Sequence, residues 1–141
     1  MDVYAENILE HYRQPHGKHL LSDPTVTHQE INLSCGDEIT LQLQIADGRI
    51  AAIGWSGMGC AISQASMSML GEELEGKTIA ELAELGQRTM YELLGVPIGP
   101  RRFKCALLSL HTLKNALRKA NHEKPQGWID TVGPSENKVV V

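Results

Sequence analysis

The feature that most constrains the fold is a pair of alternating segments joined by a tight turn. Apolar and polar residues alternate through ITLQLQI, residues 39–45, which predicts a half-buried strand. Asp47-Gly48 follows, a dipeptide typical of two-residue hairpin turns, and IAAIGWS at 50–56 predicts the return strand. A shorter strand is expected over 28–33. The first half of the chain is therefore predicted to form a small antiparallel sheet.

Helical patterns stand on both sides of this sheet in the sequence. Apolar residues recur at helical spacing in four segments, 3–13, 61–74, 86–94 and 102–120. Asp2 is expected to cap the first helix, and Thr78 with Glu81 matches the capping box of a further short helix. A sheet followed by several helices predicts the α+β class.

The C-terminal residues have turn-forming side chains and no periodicity. We therefore predict one domain over residues 1–121 and a tail over 122–141. A single domain of this size is large enough to bury one core.

Charge and cysteine content exclude several classes of protein. A net charge of −4 argues against a general nucleic-acid-binding protein, which is usually basic. No stretch approaches the roughly 18 apolar residues of a membrane-spanning helix, and the first residues do not resemble a secretory signal. The odd cysteine count, 3, does not fit a secreted disulfide framework. We expect a reduced, cytoplasmic protein that binds neither nucleic acid nor membranes.

GEELEGKT, residues 71–78, matches the phosphate-loop pattern G-x-x-x-x-G-K-[ST]. This motif binds phosphate where a strand leads into a glycine-rich loop and a helix follows. Here the preceding residues predict a helix, and three glutamates within the loop would repel phosphate. We interpret the segment as a helix end followed by a new cap, and we expect no nucleotide site.

All three cysteines fall at predicted element boundaries. Cys35 precedes the hairpin in SCGDEI, Cys60 follows GMG before a helix, and Cys105 follows PRRFK at the start of the last helix. Helix N-termini favour thiolates, and the basic residues before Cys105 are expected to lower its pKa further. A single cysteine is more often an inert buried residue. Glycines or cations beside all three favour a shared metal site instead.

Three thiolates need a fourth ligand to complete a tetrahedral site. Asp37 lies two residues after Cys35 and could direct its carboxylate to the same point, or it could cap the turn by bonding to backbone N–H groups. The residues alone leave this choice open. A histidine ligand would need convergent partners, so we expect all six histidines at the surface: His11, His16, His19, His28, His111 and His122.

These segments together resemble the SufU/IscU family of iron–sulfur cluster assembly proteins. The resemblance rests on ILEHYRQPHG, SCGDEI, GMGCAISQASMSML and PRRFKCALLSLHTLKNAL, and it extends to about residue 121. It implies an α+β fold with a three-stranded antiparallel sheet and helices packed on one side. It also implies that Cys35, Asp37, Cys60 and Cys105 hold Zn²⁺, iron or a nascent [2Fe–2S] cluster.

Two features place the sequence between the subfamilies. IscU proteins carry a histidine directly before the third cysteine, whereas Lys104 and Arg102 here resemble SufU. The insertion that SufU proteins usually carry between the second and third cysteines is missing. The resemblance implies a zinc-dependent acceptor of persulfide sulfur from a cysteine desulfurase. Cys35 is the expected acceptor and Cys105 the second choice, with Arg102 and Lys104 steadying an anionic partner or persulfide.

Three alternatives remain open. The chain could be a true [2Fe–2S] scaffold that passes clusters to downstream carriers or apo-proteins, and hence not an enzyme. It could be a structural zinc adaptor. It could also be a cysteine-nucleophile enzyme, although no oriented Cys-His pair is evident in the sequence.

Overall fold

The computed structural model describes residues 3–134. Its sheet has three antiparallel strands in the order β1-β2-β3: β1 (Val26–Asn32), β2 (Asp37–Ala46) and β3 (Arg49–Met58). The helices are α1 (Val3–Arg13), α2 (Ala61–Leu74), α3 (Ile79–Ala83), α4 (Gln87–Leu94), α5 (Phe103–Ala120) and α6 (Trp128–Val132). A 3-10 turn, Pro100–Arg102, leads into α5. The predicted α+β class and three-stranded sheet are confirmed.

The β2–β3 hairpin forms where the sequence predicts it. Asp47 and Gly48 both have positive φ, 54° and 72°, as a type I′ turn requires. The alternation of apolar and polar residues along β2 then determines which face of the sheet is buried. Ile39, Leu41 and Leu43 are fully buried, whereas the polar residues between them remain partly exposed.

Helix α5 packs against β1 and β2 and also contacts α2, α3, α4 and α6. Its residues from Cys105 to Leu113 are all buried, and α2 lies beside it against β3. This arrangement brings the N-terminal ends of α2 and α5 toward the loop between β1 and β2. The packing of α5 on the sheet therefore places Cys105 beside Cys35, and the start of α2 places the backbone of Cys60 beside Asp37.

The segment that matches the phosphate-loop pattern, residues 71–78, connects two helices, as the sequence predicts. Its first residues form the last turn of α2, and Gly76 then breaks the helix with φ +84°. Thr78 Oγ1 accepts a hydrogen bond from Glu81 N and Thr78 N donates to Glu81 Oε1, both at 3.0 Å. A helix rather than a strand precedes the loop, so the predicted helix–turn–helix is confirmed. The lack of nucleotide binding stays a prediction.

The segment after residue 121, for which the sequence shows no periodicity, contains a short helix in its described part. Helix α6 packs on α5, where the Trp128 ring stacks on His111 with centroids 4.2 Å apart. Thr131 Oγ1 lies 2.6 Å from His111 Nδ1, and Gln87 Nε2 donates to Val132 O at 2.8 Å. Five residues are too few for helical periodicity to show in the sequence. The domain boundary at 121 stays a prediction, and both Asp2 and residues 135–141 lie outside the described residues.

Within residues 3–134, no helix has the length and apolar character that crossing a bilayer requires.

Candidate metal and sulfur site

Three predicted site residues meet at one end of the sheet. Cys35 lies in the turn between β1 and β2, Asp37 begins β2, and Cys105 lies in the first turn of α5. The Cys105 thiol donates to Cys35 Sγ, with the two sulfurs 3.2 Å apart. One carboxylate oxygen of Asp37 and both sulfurs all lie within 4.8 Å of one another. This group could bind one metal ion.

The turn that carries Cys35 is closed by the backbone of Asn32. The Asn32 carbonyl accepts hydrogen bonds from Gly36 N at 2.9 Å and from Cys35 N at 3.3 Å. Gly36 has φ +73°, a left-handed conformation that costs glycine little. Cys35 remains exposed, whereas Cys105 is buried. The paired sulfurs therefore join a surface loop to the protein core.

The two carboxylate oxygens of Asp37 have different environments, and its role as a metal ligand stays a prediction. The side chain is fully buried, and Oδ1 accepts a hydrogen bond from Cys60 N at 2.9 Å. Oδ2 has no hydrogen-bond partner. A buried carboxylate oxygen without a partner is costly, and a cation beside it would offset that cost. The oxygen and the two sulfurs form a donor set that suits Zn²⁺ or iron.

Cys60 approaches this group through its backbone. It is the N-cap residue of α2, and its side chain makes no capping hydrogen bond. Its Sγ is not among the atoms that lie within 4.8 Å of one another, but the charge of Cys60 still raises the pKa of Cys105. The Cys60 thiol is thus close to the Cys35–Asp37–Cys105 group, and it makes no capping hydrogen bond to α2.

The expectation that neighbouring cations lower the pKa of Cys105 is wrong. Burial raises that pKa strongly, and the contact with Cys35 and the charges of Cys60 and Asp37 raise it further. The Lys104 and Arg102 side chains are exposed, and Lys104 Nζ lies 5.4 Å from the centre of the Trp128 ring. Without a metal ion, Cys105 is therefore a protonated thiol at neutral pH. The roles given to Arg102 and Lys104 stay predictions.

The histidines also differ from the expectation. His16, His19 and His122 are exposed and His11 is partly exposed, but His111 is buried and His28 is only partly exposed. Glu30 joins the last two, with Oε2 at 2.6 Å from His28 Nε2 and Oε1 at 3.2 Å from His111 Nε2. The sequence offered no signal for this pairing, because the two histidines lie on different elements.

Comparison with known proteins identifies the family to which the chain belongs. Residues 3–126 match the family model of the NifU-like N-terminal domain. The chain belongs to this family.

Relatives of this NifU-like domain carry both names that the sequence suggested. The chain is 35% identical over 133 residues to an iron–sulfur cluster assembly scaffold protein IscU of Thermotoga maritima, covering 83% of this chain and 94% of the relative. It is 31% identical over 134 residues to a zinc-dependent sulfurtransferase SufU of Bacillus subtilis, covering 83% and 90%. The predicted resemblance to the SufU/IscU family is therefore confirmed.

A solved structure supports the same assignment. The chain matches a protein of Fervidobacterium islandicum AW-1, described as a scaffold for the SUF system, with a TM-score of 0.68 and 32% identity. The match covers 79% of this chain and 94% of that chain.

Proposed function

We propose that this protein accepts persulfide sulfur from a cysteine desulfurase at a metal site formed by Cys35, Asp37, Cys60 and Cys105. One observation carries the proposal: the Cys35 and Cys105 sulfurs are 3.2 Å apart, and both lie within 4.8 Å of a carboxylate oxygen of the buried Asp37. Relatives named for cluster assembly and for zinc-dependent sulfur transfer support it.

The environment of the sulfurs explains why the site needs a cation. Cys105 is buried and its pKa is raised, so the thiolate form is unfavourable in the metal-free protein. A bound Zn²⁺ supplies the positive charge that converts thiols to thiolates at neutral pH. Cys60, whose side chain makes no capping hydrogen bond, contributes the third sulfur.

Cys35 is the sulfur acceptor in this proposal. It is the exposed member of the set and lies on a loop followed by Gly36, so it can leave the other sulfurs at the lowest cost. The Cys35 thiolate attacks the outer sulfur of the desulfurase persulfide. A new S–S bond forms on Cys35 as the old S–S bond breaks, and the electron pair leaves on the desulfurase thiolate. No external oxidant or reductant is required.

A second candidate function is assembly of a [2Fe–2S] cluster at the same residues. The IscU relative is 35% identical, somewhat more than the SufU relative at 31%. In that case the cluster is cargo, and the recipients are cluster carriers or apo-proteins. Both candidates use a cysteine desulfurase as the sulfur source and are compatible with a cytoplasmic location.

Metal and sulfide analysis after anaerobic purification separates the two. Zinc without acid-labile sulfide supports the sulfur acceptor, and iron with stoichiometric sulfide supports the scaffold. A protein that holds zinc but takes no sulfur from a desulfurase would be a structural adaptor, which contradicts the proposal.

Mass spectrometry after incubation with a desulfurase and cysteine tests the acceptor. We expect the persulfide on Cys35, and we expect it to be lost in Cys35→Ser but retained in Leu33→Ala, a change at an exposed residue of the same loop. Persulfide found mainly on Cys105, and surviving in Cys35→Ser, contradicts the choice of Cys35.

A further inference from the structure

Two buried polar side-chain atoms at the end of the β1–β2 ladder have no hydrogen-bond partner. Asn32 and Asp37 are directly opposite each other in the β1–β2 ladder and are 2% and 0% exposed. Cross-strand partners direct their side chains to the same face of a sheet, with Cβ atoms about 4.5–5.5 Å apart. In the described part of the chain, Asn32 Nδ2 and Asp37 Oδ2 are the buried side-chain atoms that lack a hydrogen bond.

A donor and an acceptor placed side by side would ordinarily pair with each other. Here Asp37 Oδ1 is occupied by Cys60 N and Oδ2 is left free, while the Asn32 amide donates to nothing. Leaving both atoms buried and unpaired destabilises the fold unless a third group satisfies them. A metal thiolate would do so, because the cation would offset the charge of the carboxylate and the negative sulfur would accept from the amide.

The position of Asn32 points to the sulfurs of Cys35 and Cys105. Its backbone carbonyl closes the turn that carries Cys35, at 2.9 Å from Gly36 N. Its side chain is buried on the face of the sheet that α5 covers, the helix that carries Cys105. Nothing in the roles proposed above uses this amide.

We infer that Asn32 is a positioning residue of the metal site, whose Nδ2–H donates a hydrogen bond to a thiolate sulfur of the Cys35–Cys105 pair. This inference rests on the proposed function, since it requires bound metal. The hydrogen bond stabilises the thiolate and draws electron density from the sulfur. It also fixes the loop of Cys35 against the core while the cysteine is bound.

The test compares two variants that remove the donor. Asn32→Leu replaces the amide by an apolar side chain of similar volume, and Asn32→Ala truncates it. Leu33→Ala is the matched control, because Leu33 lies next to Asn32 and is 88% exposed. Circular dichroism and thermal melting of the metal-free variants establish that each one folds.

Two measurements are made on the full chain. The first is Zn²⁺ affinity by competition with a chelator, which we expect to fall about 10- to 100-fold in the Asn32 variants, as for other residues that hydrogen-bond to metal ligands. The second is the thiolate-to-metal charge-transfer band of the Co²⁺-loaded protein. It should move to longer wavelength without the donor, because a thiolate that accepts no hydrogen bond is more easily oxidised. Leu33→Ala should match the parent in both.

The outcomes separate this inference from the function on which it rests. A parent protein that binds neither Zn²⁺ nor Co²⁺ contradicts the proposed metal site itself. A parent that binds both metals, with Asn32 variants that keep its affinity within twofold and its band position, overturns only the role of Asn32. Weaker binding with an unmoved band means that the Asn32 side chain supports the site without donating to a sulfur, which also overturns the inference.

Discussion

Gly59 allows the Asp37 carboxylate to reach the start of α2. Its φ is +147°, a conformation that residues with a side chain rarely adopt, and a Cβ there would overlap the carboxylate. Because Asp37 Oδ1 accepts from Cys60 N, a side chain at position 59 must also break that hydrogen bond. Gly59→Ala is therefore expected to strain the backbone at position 59 and to displace the Asp37 carboxylate.

Two contributions set the magnitude. A strained backbone at this position costs on the order of 1–3 kcal/mol. Loss of a buried hydrogen bond to a charged group costs about 1.5–3 kcal/mol. Displacement of Asp37 relieves part of the overlap, so the strain cost and the hydrogen-bond cost do not add fully. We expect the free energy of unfolding to fall by roughly 3 kcal/mol. For a domain of this size that corresponds to a melting temperature lower by roughly 6–12 °C.

Differential scanning calorimetry of the metal-free protein under reducing conditions measures this loss. Gly48→Ala is the matched control, because Gly48 also has a positive φ, +72°, but no atom lies within 4 Å of an added Cβ. The control should lose only about 1 kcal/mol, from backbone conformation alone. If Gly59→Ala melts no lower than Gly48→Ala, the close approach of Asp37 to Gly59 does not stabilise the protein and the reasoning fails.

Three further predictions concern the metal, nucleotides and pH. Cys60→Ser should abolish tight zinc binding. Asp37→Ala should instead hold its metal or cluster longer, because a carboxylate is the most exchangeable of the four ligands. Metal analysis checks both variants, and an unchanged zinc content in Cys60→Ser contradicts the ligand set. Equilibrium dialysis with ATP and Mg²⁺ should show no binding at millimolar concentration, and saturable binding that Lys77→Ala removes would contradict this. Burial lowers the pKa of His111 in the folded protein despite the nearby Glu30. Below about pH 6.5 the unfolded chain therefore binds more protons than the folded protein. The free energy of unfolding should fall as the pH drops through this range. Urea unfolding of the metal-free protein at several pH values measures that slope, and a slope unchanged in His111→Gln would exclude His111 as its source.

Local patterns were sufficient to predict most of the fold. The predicted helix at 61–74 agrees with α2 at both ends, and Asp47-Gly48 forms the expected hairpin turn. In each case the signal lies within a few consecutive residues, because helical period, strand alternation and turn geometry are local properties. The same reasoning explains why α6 was missed. Its stability comes from stacking of Trp128 on His111, a contact between residues of two different helices.

The site was predictable in its composition but not in its electrostatics. Lys104 and Cys105 are adjacent in the sequence, which suggested that the cation would lower the pKa of the thiol. Successive residues on a helix point about 100° apart, so Lys104 is exposed beside Trp128 while Cys105 faces the core. The groups that do act on Cys105 come from other elements: Cys35 and Asp37 lie at the β1–β2 turn, and each raises the pKa of Cys105. These effects favour the thiol form of Cys105, so in the proposed function a bound cation supplies the charge that favours its thiolate.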